Sequence, residues 1–197
     1  MNGRLVFLLE EPSMKELLDR LLPRVFPRWI AGQHFLCIKH AGKSDLEKSI
    51  SRKLKAWQEP GVRFIIVRDN DNGDCRVLKR KLAGLCETGG RPDALVRIVC
   101  QELEAWYLGD LPALAAAFDR PTMTNAVTRK RFADPDSVFK PALTMAELFP
   151  RFQKISGARI MGERLTVENN LSRSFAVFMQ GVQRIALEMG YVGQSPA

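Results

Sequence analysis

Residues 62–74, VRFIIVRDNDNGD, decide how the rest of this sequence is read. The first half is a run of β-branched and aromatic residues of strand length, apolar on both faces, as in a strand covered from two sides. The second half is turn chemistry, because Asp, Asn and Gly accept the tight and left-handed backbone that ends a strand. A basic amphipathic pattern follows over residues 75–86, with Val77, Leu78, Leu82 and Leu85 at helical spacing. Strand, acidic turn and helix together form one repeat of an α/β sheet.

The same repeat extends outward in both directions. Residues 4–9 (RLVFLL) read as a strand and residues 12–22 as a helix, with Met14, Leu17, Leu18, Leu21 and Leu22 on its apolar face and Pro12 in its first turn. Pro23 and Pro27 are expected to end that helix. Residues 34–39 (HFLCIK) read as a second strand. After Gly42 a helix is expected to start at a Ser44 cap, with Glu47 completing a capping box, and to end near Trp57. A fourth strand over 94–100 leads into ELEAWY at 102–107. The expected fold class is α/β: a mostly parallel four-stranded sheet flanked by helices over residues 1–110. Residues 111–197 are expected to form a helical and irregular extension packed on it. Its helices are placed at 110–118, 144–155 and 174–189, its irregular part at 120–150, where four prolines fall, and a frayed tail after Gly190.

Composition narrows the class. The chain has 197 residues, 46% hydrophobic and 26% charged, close to the globular average, so wholesale disorder is excluded. At this length roughly 70% of the unfolded surface can be buried, and no staple is needed. No apolar run approaches the ~20 residues of a membrane span, and the opening MNGRLVFLLEEP lacks a cleavage site, so a cytoplasmic protein is expected. Cys37, Cys75, Cys86 and Cys100 are far apart in sequence and are expected to be reduced, buried thiols. Two histidines, His34 and His40, argue against a histidine-rich metal site. The net charge of +8 favours phosphate-bearing partners.

The carboxylates carry the chemistry. Glu10 falls at the carboxyl end of the first strand and Asp69 at that of the third, where open α/β sheets bind ligands. If the backbone stays extended, Asp69 and Asp71 point the same way and share a ligand. Asp74 could reach the same region from the next helix, and Glu104 could join if the fourth strand lies beside the third. Like charges gathered in one crevice repel unless a cation neutralises them. Mg²⁺ or Mn²⁺ accepts such oxygen ligands and suits phosphodiester hydrolysis or phosphoryl transfer. The same Asp-Asn-Asp-Asn-Gly-Asp run is equally good turn and helix-cap chemistry. A calcium-binding EF-hand is excluded, since its twelfth position, a bidentate Glu, is Arg80 here. No Ser-His-Asp or Cys-His signature is present.

LLEEPSM after the first strand, IIVRDNDNGD after the third and the βαβα alternation between them resemble the Toprim fold of topoisomerases, primases and overcoming-lysogenisation-defect nucleases. In that resemblance Glu10 matches the motif's Glu, and Asp69 and Asp71 its Asp pair, while Glu11 replaces the usual Gly. EEPSM, GKSDL, DNDNGDCRVLK, QELEAWYLGD and SRSFAVF together resemble the bacterial family called domain of unknown function 4276 across nearly the whole chain. The resemblance implies a Mg²⁺-dependent (or Mn²⁺-dependent) nuclease or nucleic-acid phosphodiesterase. Glu10, Asp69 and Asp71 would be catalytic, all three with Asp74 and Glu104 serving as metal ligands. It further implies an ATPase partner and a role in phage defence. Lys39, Lys43, Ser44 and Arg76 are the candidate substrate-binding groups, the first three around Gly42 and the last on the basic helix. Two other readings stay open: a non-catalytic subunit that docks an ATPase, and a small-molecule phosphohydrolase.

Overall fold

Side chains alternate across a strand, and both faces of these strands are apolar, so each needs its own cover. The computed structural model describes residues 3–191. The strands are β1 (Leu5–Leu9), β2 (Phe35–Lys39), β3 (Arg63–Asp69) and β4 (Leu95–Val99), all parallel, in the order β2-β1-β3-β4. Leu5, Phe7, Leu9, Ile65, Val67 and Val99 face one core, with α1 (Pro12–Val25) and α9 (Arg173–Glu188) against them. Val6, Leu8, Phe64, Ile66 and Val96 face a second core under α2 (Lys43–Ala56) and α3 (Cys75–Thr88). This is the expected α/β sheet flanked by helices.

Strand order positions the site. The chain leaves β1 towards β2 on one side, then returns across to β3 on the other side of β1. The switch point, where folds of this kind form their ligand crevice, therefore lies between the carboxyl ends of β1 and β3.

After β4 come the short helices α4 (Glu104–Leu108), α5 (Leu111–Ala117), α6 (Ala126–Arg131), α7 (Pro141–Leu148) and α8 (Lys154–Gly162), with 3-10 turns at Pro121–Thr124 and Pro135–Ser137. Trp106, Phe175 and Phe178 join the β1 core, with Phe178 6.4 Å from Phe7 between ring centroids. As expected, the Phe175, Phe178, Val182 and Ile185 stripe of α9 is core.

Four local expectations are corrected. Pro23 does not stop α1, which runs to Val25. The hydrogen bond it forfeits falls in the last turns, and an interior proline costs about 3 kcal/mol. Burial of Leu17, Leu18, Leu21 and Leu22, at roughly 1.5–3 kcal/mol each, outweighs that. Ser44 is not a cap, because α2 begins one residue earlier behind Gly42, and Glu47 pairs with Arg68 and Lys81 instead. The helix expected at 144–155 is two helices. Pro150 lacks an N–H and forces Phe149 out of the helical region (φ −132°, ψ 90°), so α7 ends and α8 restarts at Lys154. The four cysteines are free, but only Cys37 and Cys86 are buried, while Cys75 and Cys100 are half-buried. The tail expected to fray after Gly190 lies, from residue 192 onward, outside the described residues.

Candidate functional site

β1 delivers Glu10 to the switch point. Its backbone bridges the neighbours: Glu10 N–H donates to Val67 O (3.2 Å), and Gly42 N–H donates to Glu10 O (2.9 Å). Gly42 has φ 113°, a left-handed backbone natural to glycine, and this lets α2 start tight against the end of β1. The Glu10 carboxylate is buried and accepts the backbone N–H of Asp69 (Oε2, 3.0 Å). Arg68 Nε stands 3.8 Å from Glu10, but its guanidinium is committed to Glu47. Burial raises the Glu10 pKa, the Asp69 N–H opposes this, and the Asp71 charge adds to the rise.

Asp69, the last residue of β3, is buried, and its Oδ1 has no hydrogen-bond partner. Burial first, then the charges of Glu11, Glu10 and Glu104, push its pKa well above the usual carboxylate range. Glu104 opens α4 with no exposed surface, and neither of its oxygens has a hydrogen-bond partner. Burial is the main cause raising its pKa to about 7. The Tyr107 hydroxyl is buried beside these acids, also without a partner.

Lys154, which the sequence reading missed, enters from α8. Its Nζ lies 3.5 Å from Glu11 and 4.0 Å from Glu104. Burial works against the ammonium, but Glu104, Glu11 and Asp69 outweigh it and hold its pKa above the usual value. Pro150 was the available signal: a helix broken there places Lys154 in the first turn of the next one.

The other candidates divide. Asp71 does not continue the strand. Its φ of 49° and that of Asn72 (63°) turn the chain, so the side chain is exposed and pairs with Lys43 (3.1 Å). Asp69 and Asp71 thus do not face one ligand from an extended backbone. Asp74 caps α3, its Oδ1 accepting from Arg76 N (2.7 Å) and Val77 N (3.1 Å). Glu102 accepts from Ala142 N at the start of α7 (2.8 Å). Lys39 ends β2 with its side chain exposed, Ser44 is exposed in the first turn of α2, and Arg76 lies on the exposed face of α3. His40 is buried, with Nδ1 on Leu9 O (2.8 Å) and Nε2 on Ser49 Oγ (2.7 Å), a structural role.

The donor chemistry fits a hard divalent ion, since Glu10, Glu11, Asp69 and Glu104 offer only oxygen and three of those oxygens are buried without partners. Among the described residues, however, no three metal-ligating side chains are drawn together tightly enough to hold an ion as they stand.

A family profile with the description "Domain of unknown function (DUF4276)" matches residues 9–183, from the end of β1 to within α9. The chain belongs to this family. No curated protein matches it. Among solved structures it is similar to the C-terminal region of the Burkholderia pseudomallei OLD protein, with 15% identity and a TM-score of 0.50, over 92% of this chain and 99% of that one. It is also similar to the C-terminal region of the Xanthomonas campestris pv. campestris OLD protein, with 13% identity and a TM-score of 0.49, over 94% and 98%. The first likeness supports the Toprim-like fold of this DUF4276 chain. No described helix is long and apolar enough to cross a membrane.

Proposed function

We propose that this chain is a divalent-cation-dependent phosphodiesterase of Toprim type that cleaves nucleic acid. The observation that carries the reading is the pair of buried carboxylates, Asp69 and Glu104, with unpartnered oxygens beside Glu10 and Glu11 at the switch point. Such burial costs several kcal/mol per uncompensated charge, so a fold retains it where a cation or reacting group supplies compensation. Glu10, Asp69 and Glu104 would hold Mg²⁺ or Mn²⁺, with Glu11 at the rim. The ion would supply Lewis-acid polarisation of a phosphoryl oxygen and charge balance on the leaving oxygen.

The chain's own groups do the rest. Lys154 Nζ, already facing Glu11 and Glu104, is placed to hydrogen-bond a phosphate oxygen and offset charge that develops there. Glu10, with its raised pKa and fixed by the Asp69 N–H, is placed to take or return a proton. Asp71 and Lys43, paired and exposed at the rim, orient the incoming strand rather than bind the ion in the crevice. Asp74 serves the helix.

The test is cleavage of plasmid, single-stranded DNA and tRNA in Mg²⁺ or Mn²⁺ by the wild type and Asp69→Asn, with chelator controls. Metal-dependent cleavage by the wild type alone supports the reading, and no cleavage of any substrate, with or without an ATPase encoded beside it, removes it. Under this reading the chain would act with an ATPase partner in phage defence; a non-catalytic ATPase-docking role is the second reading. It is favoured by the likeness to the C-terminal region of a longer protein.

A further inference from the structure

Away from the carboxylate crevice, unpaired positive charge gathers along the free edge of β4. α3 and α9 flank that strand and leave a cleft of about 250 Å³. Its floor is apolar, with Val96 and Ile98 of β4, and its rim carries Arg76 and Lys79 from α3, Arg97 from β4 and Arg173 from α9. Among the described residues none of these four cations joins a salt bridge. Asp136, also on the wall, is committed to capping α9: it accepts from Ser174 N (2.7 Å), Ser172 Oγ (2.6 Å) and Ser174 Oγ (3.1 Å).

Arg97 is held in place. Its Nε donates to Val177 O (3.1 Å) and its Nη1 to Val96 O (3.1 Å), while its guanidinium lies over Gly181, where a Cβ would approach Nη2 to 2.6 Å. Arg76 and Lys79 also line an adjoining hollow of about 560 Å³ with Arg80 and Ala83, one stripe of α3 at helical spacing. One loop joins the cleft to the carboxylates. Asn70 in the loop after β3 donates to Cys75 Sγ on the cleft side (3.1 Å) and accepts from Gln101 N beyond β4 (2.7 Å), so crevice and cleft lie on two sides of one stitched loop.

We propose that this cleft is a groove for the phosphodiester backbone of a nucleic-acid strand, with Arg76, Lys79, Arg97 and Arg173 taking phosphates and leading the strand over the 70–74 loop to the carboxylates. The inference rests on the phosphodiesterase reading above. Four cations spread over three elements suit a chain of phosphates better than one compact anion. An apolar floor without an aromatic ring accepts sugar edges but offers no stacking platform, so binding is indifferent to sequence.

The experiment is fluorescence anisotropy of labelled single-stranded DNA and RNA of one sequence, in EDTA over a salt series, with cleavage in Mn²⁺ run in parallel. Lys79→Glu with Arg173→Glu is compared with Arg52→Glu and Lys55→Glu, an equal charge change on exposed α2 residues. The groove predicts that the first pair weakens binding by about an order of magnitude and flattens the salt slope by about 1.4, at ~0.7 per phosphate contact. The α2 pair should change binding far less. Equal losses from both pairs, or poly-glutamate competing as well as the oligonucleotide, overturn the groove. Groove variants that bind and cleave like wild type overturn it and leave the phosphodiesterase standing. Wild type that neither binds nor cleaves removes both.

Discussion

Replacing Glu104 by Gln tests the electrostatics of the crevice without any substrate. In the native state this carboxyl is fully buried with a pKa of about 7, against an ordinary value of 4.5. Between those limits the native state holds the proton more tightly than the unfolded chain, so the contribution of Glu104 to stability is most favourable below about pH 4.5 and falls as the pH rises to about 7. At about 1.4 kcal/mol per pH unit, Glu104 alone removes about 3 kcal/mol across that window. Glutamine cannot ionise, so in metal-free buffer the wild type should lose about 3 kcal/mol more than Glu104→Gln between about pH 4.5 and pH 8. For a chain of this size that is a difference of about 6–12 °C in the change of Tm. Urea unfolding and thermal melts in EDTA at the two pH values measure it. Glu10, also raised but not by the Glu104 charge, bends both curves alike, whereas Asp69 feels that charge and is raised less in the variant, which widens the difference. Parallel curves for the two proteins would refute the claim that Glu104 is a buried acid whose pKa burial raises.

Further expectations follow from the same geometry. Asp74→Ala should lower stability through loss of the α3 cap, with cation binding retained; chemical denaturation and calorimetry together check this. Lys154→Met should abolish or strongly reduce metal-dependent cleavage while the fold, followed by circular dichroism, persists; wild-type turnover in this variant would remove Lys154 from the mechanism. Phe178→Ala should cost about 3–5 kcal/mol, because its ring packs on Phe7 and Trp106 in the main core. Lys43→Ala should alter stability by less than about 1 kcal/mol, its pair with Asp71 being exposed.

The sheet was legible because apolar runs of strand length alternate with amphipathic stretches, and both periods survive in the structure. Glu10 and Asp69 were legible for the same reason: strand ends are where such folds expose chemistry. The rest depended on backbone turns that the alternation does not encode. Asp71 leaves the crevice because two consecutive residues adopt positive φ. Asp74 was ambiguous between ligand and cap, and its two backbone hydrogen bonds make it a cap. Lys154 stayed hidden because a helix drawn straight through Pro150 places it far from any helix start. Arg97 stayed hidden because the cleft it lines joins residues far apart in sequence.

Calorimetric titration of the chelator-stripped 197-residue chain with Mn²⁺ probes the proposed cation site most directly. Saturable binding by the wild type that is lost in Asp69→Asn, with both proteins folded, is the predicted result. A wild type that takes up no cation, or an Asp69→Asn variant that binds it equally well, contradicts the account.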